Sequence, residues 1–164
     1  MKNRRPIVIL QALLLFFLAA VVVSNFYIMI MQVVFKKDLP KVFGFAQAVV
    51  VSGSMQPAIE VGDFLILWEK KEYRVDDIIT FRWGNNLVTH RIIAIDGDRV
   101  VTKGDSNNIA DEPIQMSQIE GKVFLCISGA GNLILFLKTP FGILLMIVVA
   151  LLVAQTPFLG NKGR

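Results

Sequence analysis

A serine-rich turn is the first feature of the sequence that could do chemistry. Ser52-Gly53-Ser54-Met55-Gln56-Pro57 follows the apolar run Val49–Val51. Glycine permits a sharp backbone turn, and proline does not continue a strand. A hydroxyl presented there beside free backbone N–H groups has the arrangement of a nucleophile with an oxyanion site. An isolated Ser-Gly-Ser is also typical of an ordinary polar turn, so this motif alone leaves both interpretations open.

His90 is the one histidine of the chain and lies in the apolar segment Leu87–Ile95. Strand alternation predicts that Val88, His90, Ile92 and Ala94 share one face. An imidazole held neutral on such a face can accept a proton as a general base. The same position equally suits a core histidine whose ring hydrogen bonds are satisfied internally.

A polar loop follows with the sequence Lys103-Gly104-Asp105-Ser106-Asn107-Asn108-Ile109-Ala110-Asp111. Asp105 or Asp111 could each orient an imidazole, and a solvated loop is the alternative. The spacing lacks the glycine and the terminal glutamate of a calcium-binding loop. One cysteine, Cys126, and one histidine cannot form a zinc cluster. We therefore predict neither a metal nor a cofactor.

Two apolar segments, one before and one after the candidate site residues, are predicted to anchor the chain in a membrane. Residues 6–35 carry no charge. This segment is longer than the roughly 20 residues that cross a bilayer, and longer than the apolar core of a cleavable signal sequence. We predict an uncleaved transmembrane anchor there. Phe141–Ala154, with Leu133–Leu137 just ahead, predicts a second transmembrane helix over 132–156. A helix lying on the membrane or packed on the central domain is the alternative for this second segment.

The segment 36–131 between the two anchors is predicted to be β-rich. Its runs of branched and aromatic residues are separated by glycine-, aspartate- and asparagine-containing turns. Strands so close in sequence are joined as hairpins, which predicts a small, mainly antiparallel β domain. The runs are Ala48–Val51, Phe64–Trp68, Ile78–Trp83, Leu87–Ile95, Arg99–Thr102 and Val123–Ile127.

Composition and charge also indicate a membrane protein. Only 18% of the 164 residues are charged and 54% are hydrophobic, whereas a soluble domain has about a quarter charged residues. Five basic and no acidic residues lie in the tails 1–5 and 157–164, while the remaining 12 basic and all 13 acidic residues lie between them. The excess positive charge therefore does not indicate a nucleic-acid-binding face. The positive-inside rule predicts cytoplasmic tails and an extracytoplasmic central domain.

Together these segments resemble the type I signal peptidases, and within them the serine–histidine branch of the endoplasmic reticulum, archaea and some Gram-positive bacteria. Thr89-His90-Arg91 matches the segment in which the bacterial branch has a lysine base before an arginine. The acidic loop departs from the family's usual Gly-Asp-Asn-Asn, because Ser106 intervenes before Asn107. The other matching segments are Ser52-Gly53-Ser54-Met55 with Pro57, Val61-Gly62-Asp63, and Lys103-Gly104-Asp105 with Asp111.

The resemblance implies a signal-peptidase-type β domain and a membrane-bound serine endopeptidase that removes signal peptides from exported preproteins. By position, Ser54 is the nucleophile, His90 is the general base, and Asp111, alone or with Asp105, orients the imidazole. The Ser52 hydroxyl is implied as a second oxyanion donor beside the Ser54 N–H.

The implied substrates are preproteins with small residues at the first and third positions before the cut. Val51 and Met55, the apolar residues beside Ser54, are the candidates for the pocket wall. The expected partners are these preproteins and the bilayer, without nucleic acid, and a need for accessory subunits is left open. Two alternatives remain at this point: a non-catalytic membrane-anchored β-barrel, and a serine–lysine protease with Lys70 or Lys103 as base. A lysine in a solvated loop is normally protonated and so cannot act as a base, which disfavours the serine–lysine alternative.

Overall fold

The computed structural model of the chain describes residues 5–35 and 38–159, which belong to two compact units. One unit comprises Met1–Lys37 and Leu135–Arg164, and the other comprises Asp38–Ile134. The predicted tails, 1–5 and 157–164, lie largely outside the described residues. The charges on which the topology prediction depends are thus mostly outside them as well.

The first unit is helical, with α1 (Arg5–Val33) packed on α3 (Pro140–Leu159). The Gln11 side-chain amide of α1 donates a hydrogen bond to the Val153 carbonyl of α3. Among the described residues, Val8–Val33 is the helix long and apolar enough to cross a membrane. This confirms the prediction of an apolar N-terminal helix.

The C-terminal segment differs from the single helix predicted over 132–156. It forms α2 (Gly131–Leu137) and α3, with a break at Lys138 and Thr139. Proline has no N–H to continue the ladder of α2 and is favoured at the first position of a new helix, so Pro140 begins α3. In the described part of the chain, α2 and α3 reach the length of a span only as a bent pair. A second transmembrane helix therefore stays a prediction.

The second unit is built on one sheet of seven strands, all paired antiparallel, in the order β1-β2-β7-β3-β4-β5-β6. This confirms the predicted mainly antiparallel β domain. A 3₁₀ turn, Met116–Gln118, precedes the last strand. The strands are β1 (Phe45–Val49), β2 (Phe64–Trp68), β3 (Ile78–Trp83), β4 (Asn86–Asp96), β5 (Arg99–Lys103), β6 (Ile114–Gln115) and β7 (Ile119–Ile127).

Two apolar clusters form the core of the β unit. The first cluster comes from β1, β2 and the segments before and between them, and the second comes from β3 to β7. The first cluster consists of Leu39, Ala46, Met55, Ile59, Leu65 and Leu67. The second cluster consists of Ile79, Phe81, Ile92, Val100, Ile114 and Ile119.

Strand β4 does not alternate along its whole length. His90 and Ile92 are buried as expected, but Ala94 is exposed. The register with β5 shifts between Ile92 and Ala94, so an additional residue enters β4 there. Such a bulge reverses the side-chain alternation. The prediction that Ala94 shares the buried face of His90 was therefore wrong.

Candidate active site

Ser54 lies in the turn that joins β1 to β2. The Gln56 N–H donates to the Gly53 carbonyl at 3.1 Å, and the Ile59 N–H donates to the Met55 carbonyl at 3.0 Å. Met55 is only 2% exposed and belongs to the first core cluster. The chain thus buries the residue after Ser54 and leaves the Ser54 side chain at the surface of that core.

Asp63 fixes the end of this turn. One carboxylate oxygen accepts the Glu60 N–H at 2.9 Å and the Cys126 thiol at 3.4 Å, and the other accepts the Gly129 N–H at 3.0 Å. The Glu60 hydrogen bond is the main reason that the pKa of Asp63 is lowered from its ordinary value. Burial and this carboxylate raise the pKa of Cys126 to about 11. Asp63 therefore ties the segment after Ser54 to the end of β7.

His90 comes from β4 and is 6% exposed. Its ring lies edge-on to Phe81 of the second core cluster, with 6.2 Å between the ring centroids. Its Nε2 atom is 3.1 Å from Ser54 Oγ, and its Nδ1 atom is 2.6 Å from Asp111 Oδ2. The structure therefore brings Ser54, His90 and Asp111 into one hydrogen-bonded row.

The row fits the donor and acceptor pattern of a general base. An ionised carboxylate can only accept, so Nδ1 of His90 donates to Asp111 in that state. In a neutral imidazole the lone pair is then on Nε2, which accepts the Ser54 hydroxyl. This is the tautomer that a general base for a serine nucleophile needs.

Thr102 is a member of the site that the sequence analysis missed. Its hydroxyl donates to Asp111 Oδ2 at 2.6 Å, and its carbonyl accepts the Asp111 N–H at 2.8 Å. Thr102 is fully buried on β5, directly opposite Ile92. A threonine on the inward face of a strand needs a hydrogen-bond partner, and this was the available sequence signal.

Asp105 makes no hydrogen bond to His90 in the described part of the chain. It accepts a bidentate pair of hydrogen bonds from Arg91, at 2.9 Å from Nε and 2.7 Å from Nη2. The bond from Arg91 is the main cause that lowers the pKa of Asp105. Arg91 also donates to the Asp76 carbonyl at 3.2 Å. Asp105 thus anchors its loop to the residue that follows His90.

The same loop contacts the serine turn. Ser106 donates its hydroxyl to the Gly53 carbonyl at 2.8 Å and its N–H to the Ser54 carbonyl at 2.9 Å. A Cβ at Gly104 would lie 2.6 Å from the Ser54 carbonyl oxygen, so this close approach requires glycine. The loop therefore bridges the strand of His90 and the turn of Ser54.

The remaining predicted residues line a cavity of about 520 Å³ beside Ser54 and His90. Ser52 is exposed, with its hydroxyl 3.4 Å from that of Ser54. Val51 is 86% exposed, whereas Met55 is buried, and both are at the cavity wall.

Neither lysine considered as an alternative base is among the described residues that line this cavity. Lys70 lies over the Trp68 ring, 5.6 Å from its centroid. In the described segments, no three His, Cys, Asp or Glu side chains are grouped so as to hold a metal ion.

Comparison with known proteins agrees with the motifs that this site contains. The family model described as signal peptidase, peptidase S26, matches residues 7–124. The chain belongs to the S26 signal peptidase family. The match includes Ser54, His90 and Asp111, all three members of the hydrogen-bonded row.

Individual members of the family match a shorter stretch. Signal peptidase I W of Bacillus subtilis is 42% identical over 80 residues, which are 44% of this chain and 42% of that protein. The signal peptidase complex catalytic subunit SEC11 of Scheffersomyces stipitis is 40% identical over 70 residues, 38% of this chain and 42% of that protein. The SEC11 subunit of Colletotrichum graminicola is 37% identical over 75 residues, 40% of this chain and 44% of that protein. The chain thus spans about two fifths of the length of the relatives it matches.

Proposed function

We propose that this protein is a membrane-bound serine endopeptidase that removes N-terminal signal peptides from exported preproteins. The observation that carries the proposal is the row Ser54–His90–Asp111, with 3.1 Å and 2.6 Å between its hydrogen-bonded atoms. The chain's membership of the S26 family supports the same reaction and the same class of substrate.

The reaction begins with Ser54. His90 Nε2 removes the Ser54 proton as Oγ attacks the scissile carbonyl carbon, which gives a tetrahedral intermediate. His90 then passes the proton to the leaving amine, and an acyl-enzyme remains on Ser54. A water molecule, deprotonated by the same nitrogen, attacks the acyl carbon, the bond to Ser54 Oγ breaks, and His90 returns the proton to Oγ as the signal peptide leaves with a free carboxylate. Asp111 stabilises the imidazolium in both steps, and Thr102 and the backbone hold Asp111 in place.

The oxyanion of the tetrahedral intermediate is bound by the Ser54 N–H, with the Ser52 hydroxyl as the second donor. In the described residues, the Ser54 N–H donates to no other protein group. The two serine hydroxyls are close enough to face one reacting carbonyl, at 3.4 Å from each other. A single donor of this kind contributes about 2.7–4 kcal/mol to the transition state.

The substrate lies along β1 as an extended strand. β1 is at the edge of the sheet, and its residues and the beginning of β4 line the cavity next to Ser54. An exposed edge offers backbone hydrogen bonds to an added strand, while pockets select alternate side chains. Val51 and Met55 contribute to the pocket walls, and the family resemblance implies that the residues bound before the cut are small.

The β domain is extracytoplasmic and is held by α1, with the α2–α3 segment as a second crossing. The basic tails then share the cytoplasmic side. Accessory subunits are compatible with this proposal, since the name of the SEC11 relatives places those proteins in a complex.

The test uses the full-length chain purified in detergent or nanodiscs and incubated with a preprotein. We expect a mature fragment whose new N-terminus, read by mass spectrometry, follows the signal peptide. Ser54→Ala should abolish cleavage. Ser117→Ala is the matched control, because Ser117 is exposed in the 3₁₀ turn and contributes to none of the contacts above. Cleavage by the Ser54→Ala protein at the wild-type rate would overturn the proposal.

A further inference from the structure

Ser106 makes contacts with both peptide groups that flank the Ser54 Cα atom. Its hydroxyl donates to the carbonyl of Gly53 at 2.8 Å, and its N–H donates to the carbonyl of Ser54 at 2.9 Å. The first contact depends on the Ser106 side chain, whereas the second is made by its backbone.

The first of these contacts acts on the oxyanion site through the geometry of the peptide bond. The Gly53 carbonyl and the Ser54 N–H belong to one planar peptide group and point in opposite directions. A hydrogen bond that fixes the carbonyl therefore fixes the direction of the N–H. Within the described residues the Ser54 N–H has no protein acceptor of its own. Its direction therefore depends on the groups that hydrogen-bond to the Gly53 carbonyl on the opposite side of the same peptide plane.

The same hydrogen bond polarises the peptide group. Donation to a carbonyl oxygen shifts electron density toward that oxygen and makes the N–H of the same group a stronger donor. The Gly53 carbonyl also accepts the Gln56 N–H at 3.1 Å. The longer Gln56 contact is internal to the turn, whereas the Ser106 contact comes from outside it.

We propose that Ser106 is a positioning residue that aims and polarises the Ser54 N–H as the oxyanion donor. This inference rests on the proposed peptidase function. Ser106 acts through Ser54 and does not touch the reacting atoms. Its N–H holds the following peptide group, so Ser106 restrains the nucleophile from both sides.

The loop is built to keep Ser106 at this place. Gly104 allows the backbone to approach the Ser54 carbonyl, and the Asn107 N–H donates to the Gly104 carbonyl at 3.0 Å to close a turn around Ser106. The ion pair between Asp105 and Arg91, at 2.7 Å, fixes the preceding residue to β4. The position of Ser106 is thus set independently of its own hydroxyl, and removing that hydroxyl should leave the loop in place.

The decisive variant is Ser106→Ala in the full-length chain. Polarisation strengthens a hydrogen bond by about 10–30%, and an oxyanion donor is worth about 10²–10³ in kcat, so we expect kcat to fall about 2- to 10-fold with KM unchanged. Ser106→Thr, which keeps the hydroxyl, should restore most of kcat. Asn108→Ala is the matched control, because Asn108 is exposed in the same loop and its side chain makes no hydrogen bond to a described residue.

A substrate-like peptide aldehyde separates positioning from a general structural effect. Ser54 Oγ adds to the aldehyde carbon, and its proton passes by way of His90 to the resulting oxygen or remains on the imidazole. That oxygen occupies the oxyanion site. Ser106→Ala should weaken aldehyde inhibition by the same factor as kcat/KM, but leave the affinity for the matching peptide amide unchanged.

The outcomes are distinct. A wild-type kcat for Ser106→Ala, or an equal loss of affinity for aldehyde and amide, would overturn the role of Ser106 while leaving the peptidase function intact. Absence of cleavage by the wild-type chain would instead refute the proposed function. If Ser106→Ala melts at a lower temperature, Ser106→Cys replaces it, since a thiol has nearly the same size and is a much weaker donor. A Cys variant with wild-type kcat would likewise overturn the proposal.

Discussion

Replacing Asp111 with asparagine tests the hydrogen-bonded row at its most informative point. The Asp111 carboxylate accepts both the His90 Nδ1–H and the Thr102 hydroxyl through one oxygen, each at 2.6 Å. An asparagine has nearly the same shape, so the variant should fold. It differs in having no charge and in presenting either an oxygen or an NH₂ group to the imidazole.

The size of the loss follows from these two differences. If the amide oxygen faces His90, the imidazole keeps its proton on Nδ1, and only the stabilisation of the imidazolium by the negative charge of Asp111 is lost. Two unit charges about 4 Å apart interact by about 4 kcal/mol at an effective dielectric constant of about 20, which is about 10³ in rate. If the NH₂ group faces His90, the proton moves to Nε2 and the base is lost, which costs about 10⁴. Thr102 does not select between the two, because a hydroxyl can donate or accept. We therefore expect kcat to fall about 10³- to 10⁴-fold.

The assay compares initial rates of preprotein cleavage by the wild-type, Asp111→Asn and Asp105→Asn proteins. The Asp105 carboxylate accepts its hydrogen bonds from Arg91 and not from His90, so its substitution should cost less than about tenfold, as expected for a group outside the proton-transfer row. Melting temperatures of both variants control for loss of folding. An active Asp111→Asn protein beside an inactive Asp105→Asn protein would refute this reasoning and exchange the two roles.

Three further predictions concern the oxyanion site, acid stability and topology. Ser52→Ala should lower kcat by about 10²–10³ if its hydroxyl is an oxyanion donor, and an unchanged rate in the same cleavage assay would limit Ser52 to a structural role. The pKa of Asp63 is lowered in the folded state, so its stabilisation is complete above its unfolded value of about 3.9 and is lost as the pH falls through the lower, folded value. The melting temperature should therefore drop more steeply below about pH 4 for the wild type than for Asp63→Asn, and parallel profiles would contradict this. Protease added outside sealed cells should cut the β domain and spare tags on both termini, whereas digestion of a C-terminal tag alone would exclude the second crossing.

Much of the sheet could be predicted from the sequence because apolar runs end at turn-forming residues. Phe64–Trp68 and Ile78–Trp83 were predicted with the bounds that the structure has. The ends of other strands depend on pairing and not on local composition. β1 begins at Phe45 because Phe45 pairs with Trp68, and β7 begins at Ile119, where Phe81 of β3 pairs with it.

Two features of the sheet, the strand β6 and the bulge in β4, leave too little hydrophobic periodicity in the sequence to be predicted. β6 has two residues, Ile114 and Gln115, and exists because β5 offers it a partner. The bulge in β4 could not be predicted from β4 alone, because the inserted residue is defined by how β4 pairs with β5.

The site was predicted to different extents for different residues. The motifs carried by the family resemblance indicated Ser54, His90 and Asp111, and the structure places these three together. The choice between the two aspartates could not be made from the loop alone. Alternation already put Arg91 on the face opposite His90, which is a reason to expect an acidic partner such as Asp105 for the arginine.

The division of the core into two clusters has a consequence for the newly made chain. Ser54 is presented by the first cluster and His90 by the second, and the hydrogen bond between them joins residues 36 positions apart in sequence. Contacts between distant parts of a chain form late, after the entropy of closing the intervening loop has been overcome. A chain that has assembled only one cluster has a serine without a base or a base without a serine. In the proposed mechanism, the catalytic row is therefore complete only after both clusters have formed.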